Sequence, residues 1–485
     1  LQFNQPISLN PALEGTAESD IVFGALDYDS LIFQLPNGHF VGDLATSWSY
    51  VPGSNNSKFN LTIRQGVTFS DGSAVTAQAV ANSLEYFKSA NGPQGAFLAG
   101  LTAATVTGAN TVQLSFAGPQ PDLPFLLDQY QCVGQIIGPQ GIANPAELQT
   151  TSDGAGPYVL SASQSVANSS YVFTLNQHYW NPKAVFYEQV VVKVIGDPQS
   201  ALAAVESGQV NVLTSAPITI ASAAKSAGLT TYTVPFSIAS LVLMDRGGSA
   251  SPLGKLAVRE AINDAVNRNG MARALGGSTA VPTDEDAVPG ATGYDPALAR
   301  YYSFNLTKAK RLMAQAGYPH GFSLAVLDTA ALDPNGDISA ALKSELAAIG
   351  IKLTINLVPS PAQFIPAALS KQYPAVVWPV AQDGPGFPYS VQFGLIPFTN
   401  AFNTTSATLS SLMATAGGAA ASQQPALYKK VGDFLVKNAW YVPLFSLGAT
   451  FVVGKSVANV SAPNATNATI DPVSTKRTLS WYPKG

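Results

Sequence analysis

Between Phe59 and Lys88 the chain alternates, turns and then changes period. Phe59, Leu61 and Ile63 fall on one face of a strand, and Val67 and Phe69 repeat the two-residue spacing. Gln65-Gly66 between them predicts a tight turn, and Asp71-Gly72 a second one. The pattern therefore predicts a hairpin. Thr76 is placed to cap a helix over Val75–Lys88, in which Val80, Leu84 and Phe87 recur at three and four. Further on, the apolar run Val190–Ile195 predicts a buried strand. Asp197 then caps a helix with Pro198 at its first position, Gly208 ends it, and Val210 and Val212 begin another strand. Residues Ser323–Val358 repeat this order, with Asp337 as the expected cap and Gly350 as the stop. Each segment predicts a parallel crossover unit, and two such units predict two α/β lobes.

Tyr232–Met244 and Phe445–Val453 predict two extended passages between those lobes, which makes the first lobe discontinuous. The expected boundaries are 1–238 plus 452–485 for lobe I, including an inserted subdomain at about 50–170, and 239–451 for lobe II. A chain of 485 residues is long enough for this division.

Composition narrows the function. Charged residues make up only 11% and net charge is −4, with no basic run, so a nucleic-acid surface is not expected. Cys132 is the sole cysteine, which excludes an intrachain disulfide and predicts a buried, inert thiol. The stretches Ser89–Pro121 and Asn438–Gly454 are uncharged but broken by Gly, Pro and polar residues, and neither supplies about 20 apolar residues in a row. A start at Leu1 is what a removed signal peptide, with or without a lipid-anchoring cysteine, would leave; an extracytoplasmic location is expected.

Catalytic chemistry is hard to place. His39, His178 and His320 lie far apart, none with a partner at metal-ligand spacing, and no His-Glu-x-x-His or Gly-x-Ser-x-Gly occurs. Gly448–Ser456 misses phosphate-loop spacing by one residue. No catalytic residue, metal or cofactor is therefore expected, although two carboxylates brought together by folding would serve a glycosidase.

The stretch FNLTIRQGVTFSDGS (59–73) resembles the Arg-x-Gly-Val-x-Phe-x-Asp-Gly-x-x-x-Thr-Ala signature of the peptide/nickel family of extracellular solute-binding proteins, through Arg64, Gly66, Val67, Phe69, Asp71, Gly72, Thr76 and Ala77. Other similar stretches follow in the family's order. They are Tyr28-Asp29, Leu44-Ala45 before Ser47-Trp48, Gly154–Tyr158 with Ala155 as a departure, Asn176 before Tyr179-Trp180, Val258–Arg268 and Leu312–Gly321. The resemblance implies a two-lobed periplasmic-binding-protein-like (Venus flytrap) α/β fold with an extra subdomain in the first lobe. It also implies the substrate-binding subunit of an ABC importer: a monomer that captures a small peptide or similar polar solute between its lobes and passes it to a membrane permease.

A cleft of that kind uses aromatic walls and a few placed polar groups. Val376–Tyr389 combines Trp378 with a Gly/Pro-rich loop bearing Asp383, Phe387 and Tyr389, and these are the expected ligand contacts. In dipeptide and oligopeptide receptors of the family an Asp three residues after the Trp pairs with the peptide amine. Here that position is Ala381, with Asp383 two residues later. On the other lobe Tyr28 and Asp29 match an element that borders the cleft. Arg64 and Arg259 read as architecture, and Gly156-Pro157-Tyr158 as the start of a strand. An oligosaccharide receptor of the same fold, or a sensor for a membrane signalling partner, are the competing readings; a hydrolase lacks a paired nucleophile and base.

Overall fold

In the computed structural model the Ser323–Thr329 strand, the Asp337–Ala347 helix and the Lys352–Val358 strand form the expected crossover, the two strands pairing in parallel from Ser323 opposite Lys352 to Thr329 opposite Val358. The structure describes the chain apart from residues 4, 5, 7, 15–17, 36, 37, 91, 130, 217, 249, 277–279, 288, 290, 331, 332, 334, 381–398, 461–472 and 485. It forms two units: Leu1–Val234 with Ala449–Gly485, and Pro235–Gly448.

In the first unit, strand Gln189–Val194, helix Pro198–Glu206 and strand Val212–Ala216 follow the predicted order. The Asp197 carboxylate accepts from Ser200 N at 2.8 Å and Pro198 opens the helix. The two strands are not neighbours, however. The short Gln2–Phe3 strand lies between them, parallel to both. Val190 and Val192 are buried while Gln189 is exposed and Val191 half-buried, so the expected continuous apolar strand covers only one face. Ser170–Leu175 and Tyr158–Leu160 extend this sheet in antiparallel fashion.

A second sheet in this unit runs Ala45–Tyr50, Lys58–Ile63, Thr111–Phe116, Leu101–Gly108, all antiparallel. Phe59, Leu61 and Ile63 point inward as their spacing predicts. The predicted hairpin partner does not form. Lys58–Ile63 pairs on both edges with other strands, and residues 67–69 contribute only an isolated bridge between Thr68 and Ala74. Val67 and Phe69 are nevertheless buried, because burial of alternate side chains needs an extended segment but not a ladder partner. Helix Ala77–Ser89 is capped by Thr76, whose Oγ1 accepts from Ala79 N at 3.1 Å, and buries Val80, Leu84 and Phe87 in the same core. Cys132 is buried there too, its Sγ donating to Glu14 Oε2 at 3.2 Å.

The second unit carries the sheet Lys352–Val358, Ser323–Thr329, Ala375–Pro379 and the Ala239–Leu243 part of the long Thr230–Leu243 strand. Helix Leu256–Ala265 packs Val258, Ala261 and Ile262 into its core. The cap of helix Asp337–Ala347 differs from the expectation. Gly336 holds the cap position with φ of 70°, and the Asp333 carboxylate reaches forward to accept from Asp337 N, Ile338 N and Ser339 N. A carboxylate four residues upstream does the capping because the left-handed turn at Gly336 folds it back over the helix end. Among the described residues no helix is long and apolar enough to cross a membrane.

Candidate functional site

Tyr28 and Asp29 follow directly on helix Glu18–Asp27, with Tyr28 N donating to Gly24 O at 2.8 Å. The Gly154–Tyr158 segment packs against this corner. A Cβ on Gly156 would lie 2.6 Å from the carbonyl carbon of Asp27, and one on Gly154 would lie 2.0 Å from its oxygen. Only glycine lets the two backbones come this close, and Gly156 N then donates to Asp27 O at 3.1 Å. Ser70 N donates to Gly154 O at 2.8 Å, so the loop after Phe69 is tied to the same corner.

The result is a small recess of about 20 Å³, room for roughly one water molecule, walled by Tyr28, Asp29, Asp43, Pro157, Tyr179 and Thr475 among others. Both expected residues on this unit line it, and both are buried, Tyr28 at 1% and Asp29 at 7% exposure. Asp43, Tyr179 and Thr475 carry chemistry there and sequence reasoning passed them over. The signal for Asp43 was available: an acid set directly before the apolar start of a strand, in a chain with few charges.

A chain of contacts holds Asp29. The Arg64 guanidinium lies 4.0 Å from the centroid of the Trp180 ring, and Trp180 Nε1 donates to Asp29 Oδ2 at 2.6 Å. Arg64 Nε also donates to the backbone oxygen of Asp43 at 2.9 Å. Arg64 is architectural, as expected, but the architecture it supports is the wall of this recess. Burial raises the Asp29 carboxyl well above the usual carboxylate range, and the neighbouring Asp43 charge adds to this against the Trp180 bond and Arg64. Burial likewise pushes Asp43 up to about 7, opposed by Arg64 and by the hydroxyl and backbone N–H of Ser30. Asp43 Oδ1 and Thr475 Oγ1 have no hydrogen-bond partner.

The other expected site residues belong to the second unit. Trp378 lies on strand Ala375–Pro379 opposite Ser240, is 8% exposed, and stacks on Phe364 with centroids 4.6 Å apart at 27°. Asp383, Phe387 and Tyr389, with Ala381, lie outside the described residues. This unit also contains a closed ionic cluster. Arg268 Nε meets Asp284 Oδ1 at 2.6 Å, and its terminal nitrogens donate to Asn263 O at 2.9 Å and Asn263 Oδ1 at 2.5 Å. Arg259 is spent on the backbone oxygens of Leu253, Gly254, Asn438 and Ala439. His178 is exposed, and the described residues contain no group of three metal-ligating side chains.

Residues 39–399 match the model of the bacterial extracellular solute-binding proteins, family 5 (middle region). The chain is 27% identical over 319 residues to the probable D,D-dipeptide-binding periplasmic protein of Escherichia coli (strain K12), a match that covers 64% of this chain and 59% of that protein. The chain thus spans about three fifths of that curated relative. Among solved structures, the ABC transporter-associated periplasmic binding protein of Helicobacter pylori in complex with the peptide STSA superposes with a TM-score of 0.83 at 22% identity, covering 100% of this chain and 97% of that one. The PBP AgaA of A. tumefaciens R10 in complex with agropinic acid does so with a TM-score of 0.82 at 22% identity, covering 95% and 94%. The α/β periplasmic-binding-protein fold expected from the sequence is therefore the fold observed.

Proposed function

Because the chain belongs to family 5 of the bacterial extracellular solute-binding proteins, we propose that it is the extracytoplasmic capture subunit of an ABC importer, taking up a small peptide or similar polar solute and presenting it to a membrane permease. The observation that carries this reading is the family match over residues 39–399, which runs through residues of both units. The similarity to a D,D-dipeptide-binding protein and to structures holding a peptide or agropinic acid supports a polar, peptide-sized solute. Capture is non-covalent. Trp378 and the loop bearing Asp383, Phe387 and Tyr389 form one proposed contact set, and Tyr28 and Asp29 a second. Ligand contributes binding energy to one conformational state and shifts the population toward it.

Thermal unfolding against a panel of di- to tetrapeptides, oligosaccharides and metal chelates tests the proposal. A true ligand at 100 times its Kd adds about 2.7 kcal/mol to stability. Stabilisation by a peptide supports the reading, a shift with sugars alone transfers it to an oligosaccharide receptor, and no shift with any class overturns it. Trp378→Phe keeps an aromatic against Phe364 and is expected to fold while binding the solute more weakly. Unchanged affinity in that variant would remove Trp378 from the contact set and leave it a core residue.

A further inference from the structure

The recess beside Asp29 and Asp43 is unfinished in two respects. One is charge. Asp29 and Asp43 line the recess with Arg64 as the neighbouring cation, so once both carboxyls are ionised, at alkaline pH, there is one more carboxylate than guanidinium. The other is bonding. Asp43 is only 4% exposed, yet its Oδ1 has no partner, and neither has the Thr475 hydroxyl oxygen on the same wall. A buried carboxylate oxygen left without a donor is costly, and native structures satisfy such groups with protein, water or an ion.

We propose that this recess is a binding site for one small monovalent cationic group, a bare sodium ion or the ammonium head of an amine, held between Asp29 and Asp43 with the Thr475 hydroxyl as a neutral donor. The volume of about 20 Å³ suits a small ion or the head of a longer molecule. Charge sets the valence. One positive charge balances the excess carboxylate, whereas a divalent ion would leave an excess positive charge beside Arg64 and would lack the larger acidic ligand set it prefers. Hard oxygen donors suit sodium, and the same oxygens accept from an ammonium group. Arg64 is held to one side of the pair. Its Nε is committed to Asp43 O and its guanidinium lies against the Trp180 ring. Among the described residues the titratable groups at the recess are Asp29, Asp43, Tyr28 and Tyr179, with Asp27, Asp153 and Glu14 acting on Tyr28, Tyr158 on Tyr179, and Arg64 the neighbouring cation; a proton on the Asp29–Asp43 pair competes with the guest, so the site is strongest at alkaline pH.

The test uses the full chain in tetramethylammonium chloride at pH 8.5, with sodium chloride or methylammonium chloride substituted at constant ionic strength. Unfolding is followed by calorimetry. A cation at roughly tenfold its Kd is expected to raise Tm by about 1–3 °C. Asp43→Asn, close in shape but uncharged, abolishes the rise, and Thr475→Val, at a half-buried position, reduces it. Broadening of the sodium-23 resonance by wild type, absent with Asp43→Asn, reports the bound ion directly. A response to sodium alone identifies a free ion as the guest, and a response to methylammonium alone identifies an amine head. Identical Tm in all three salts overturns the proposal, and so does an undiminished response in Asp43→Asn. No transport solute enters these measurements, so their failure and the failure of the import reading are separate results.

Discussion

Two buried ionic clusters, one in each unit, carry opposite lessons. In the second unit Arg268 and Asp284 face each other at 2.6 Å, while the guanidinium donates to Pro443 O, Asn263 O and Asn263 Oδ1. In the first unit Asp29 and Asp43 are like charges, with one oxygen unpartnered and a water-sized space beside them. In a closed pair opposite charges offset each other's desolvation. An open pair of like charges is unfavourable by itself and is completed by a guest. Burial is similar in the two places; the sign of the facing charges is what separates architecture from a candidate site.

The largest expected effect comes from breaking the closed cluster. Arg268→Met leaves Asp284 buried without its partner and should cost about 3–5 kcal/mol in denaturant unfolding. A loss below about 1 kcal/mol would show that the pair is not what closes this core. Arg64→Met, a half-buried position in the other unit, should cost less, about 1–2 kcal/mol, from the lost contact with Trp180 and the lost bond to Asp43 O. It should also move the titration of the Asp29–Asp43 pair upward, because Arg64 lowers both. A pair that titrates as in wild type would disconnect Arg64 from the recess.

The smallest effect sharpens the contrast most. Asp43 holds its proton up to about pH 7 in the folded state against a value of 3.8 for the free side chain. The folded state therefore binds more protons than the unfolded one between those values. Stability contributed by the protonated form is present below this window and is lost as pH rises toward 7 and beyond. In tetramethylammonium salt wild type should thus lose stability from pH 5 to pH 8. Asp43→Asn should flatten part of that slope and be more stable at pH 8 by on the order of 1 kcal/mol. Parallel pH profiles for the two proteins would exclude Asp43 as the titrating group.

Much of the local structure was legible because it depends on near neighbours. Thr76 as a cap, Asp197-Pro198 as a helix start, and the inward faces of Phe59, Leu61 and Ile63 follow from spacing over a few residues. The failures were failures of partnership. The strand-like alternation of Val67 and Phe69 suits half of a hairpin, but strands 45–50 and 111–116 claim both edges of 58–63. Spacing makes Asp337 the expected cap, whereas Asp333 reaches the helix end from a turn that sequence spacing does not display.

The same division holds at the recess. The ordered motifs, read one by one, marked a solute-binding family, two crossover units and Tyr28-Asp29 as residues of interest, since each is carried by a short run of the chain. Only the tertiary structure brought Arg64, Trp180, Asp43, the Gly154–Tyr158 corner and Thr475 around Asp29, over separations of up to several hundred residues. Sequence spacing determines which face of an element is apolar. It does not determine which carboxylates are forced together out of water, because that depends on contacts between elements, and it is there that an acid becomes either half of a closed pair or an open one.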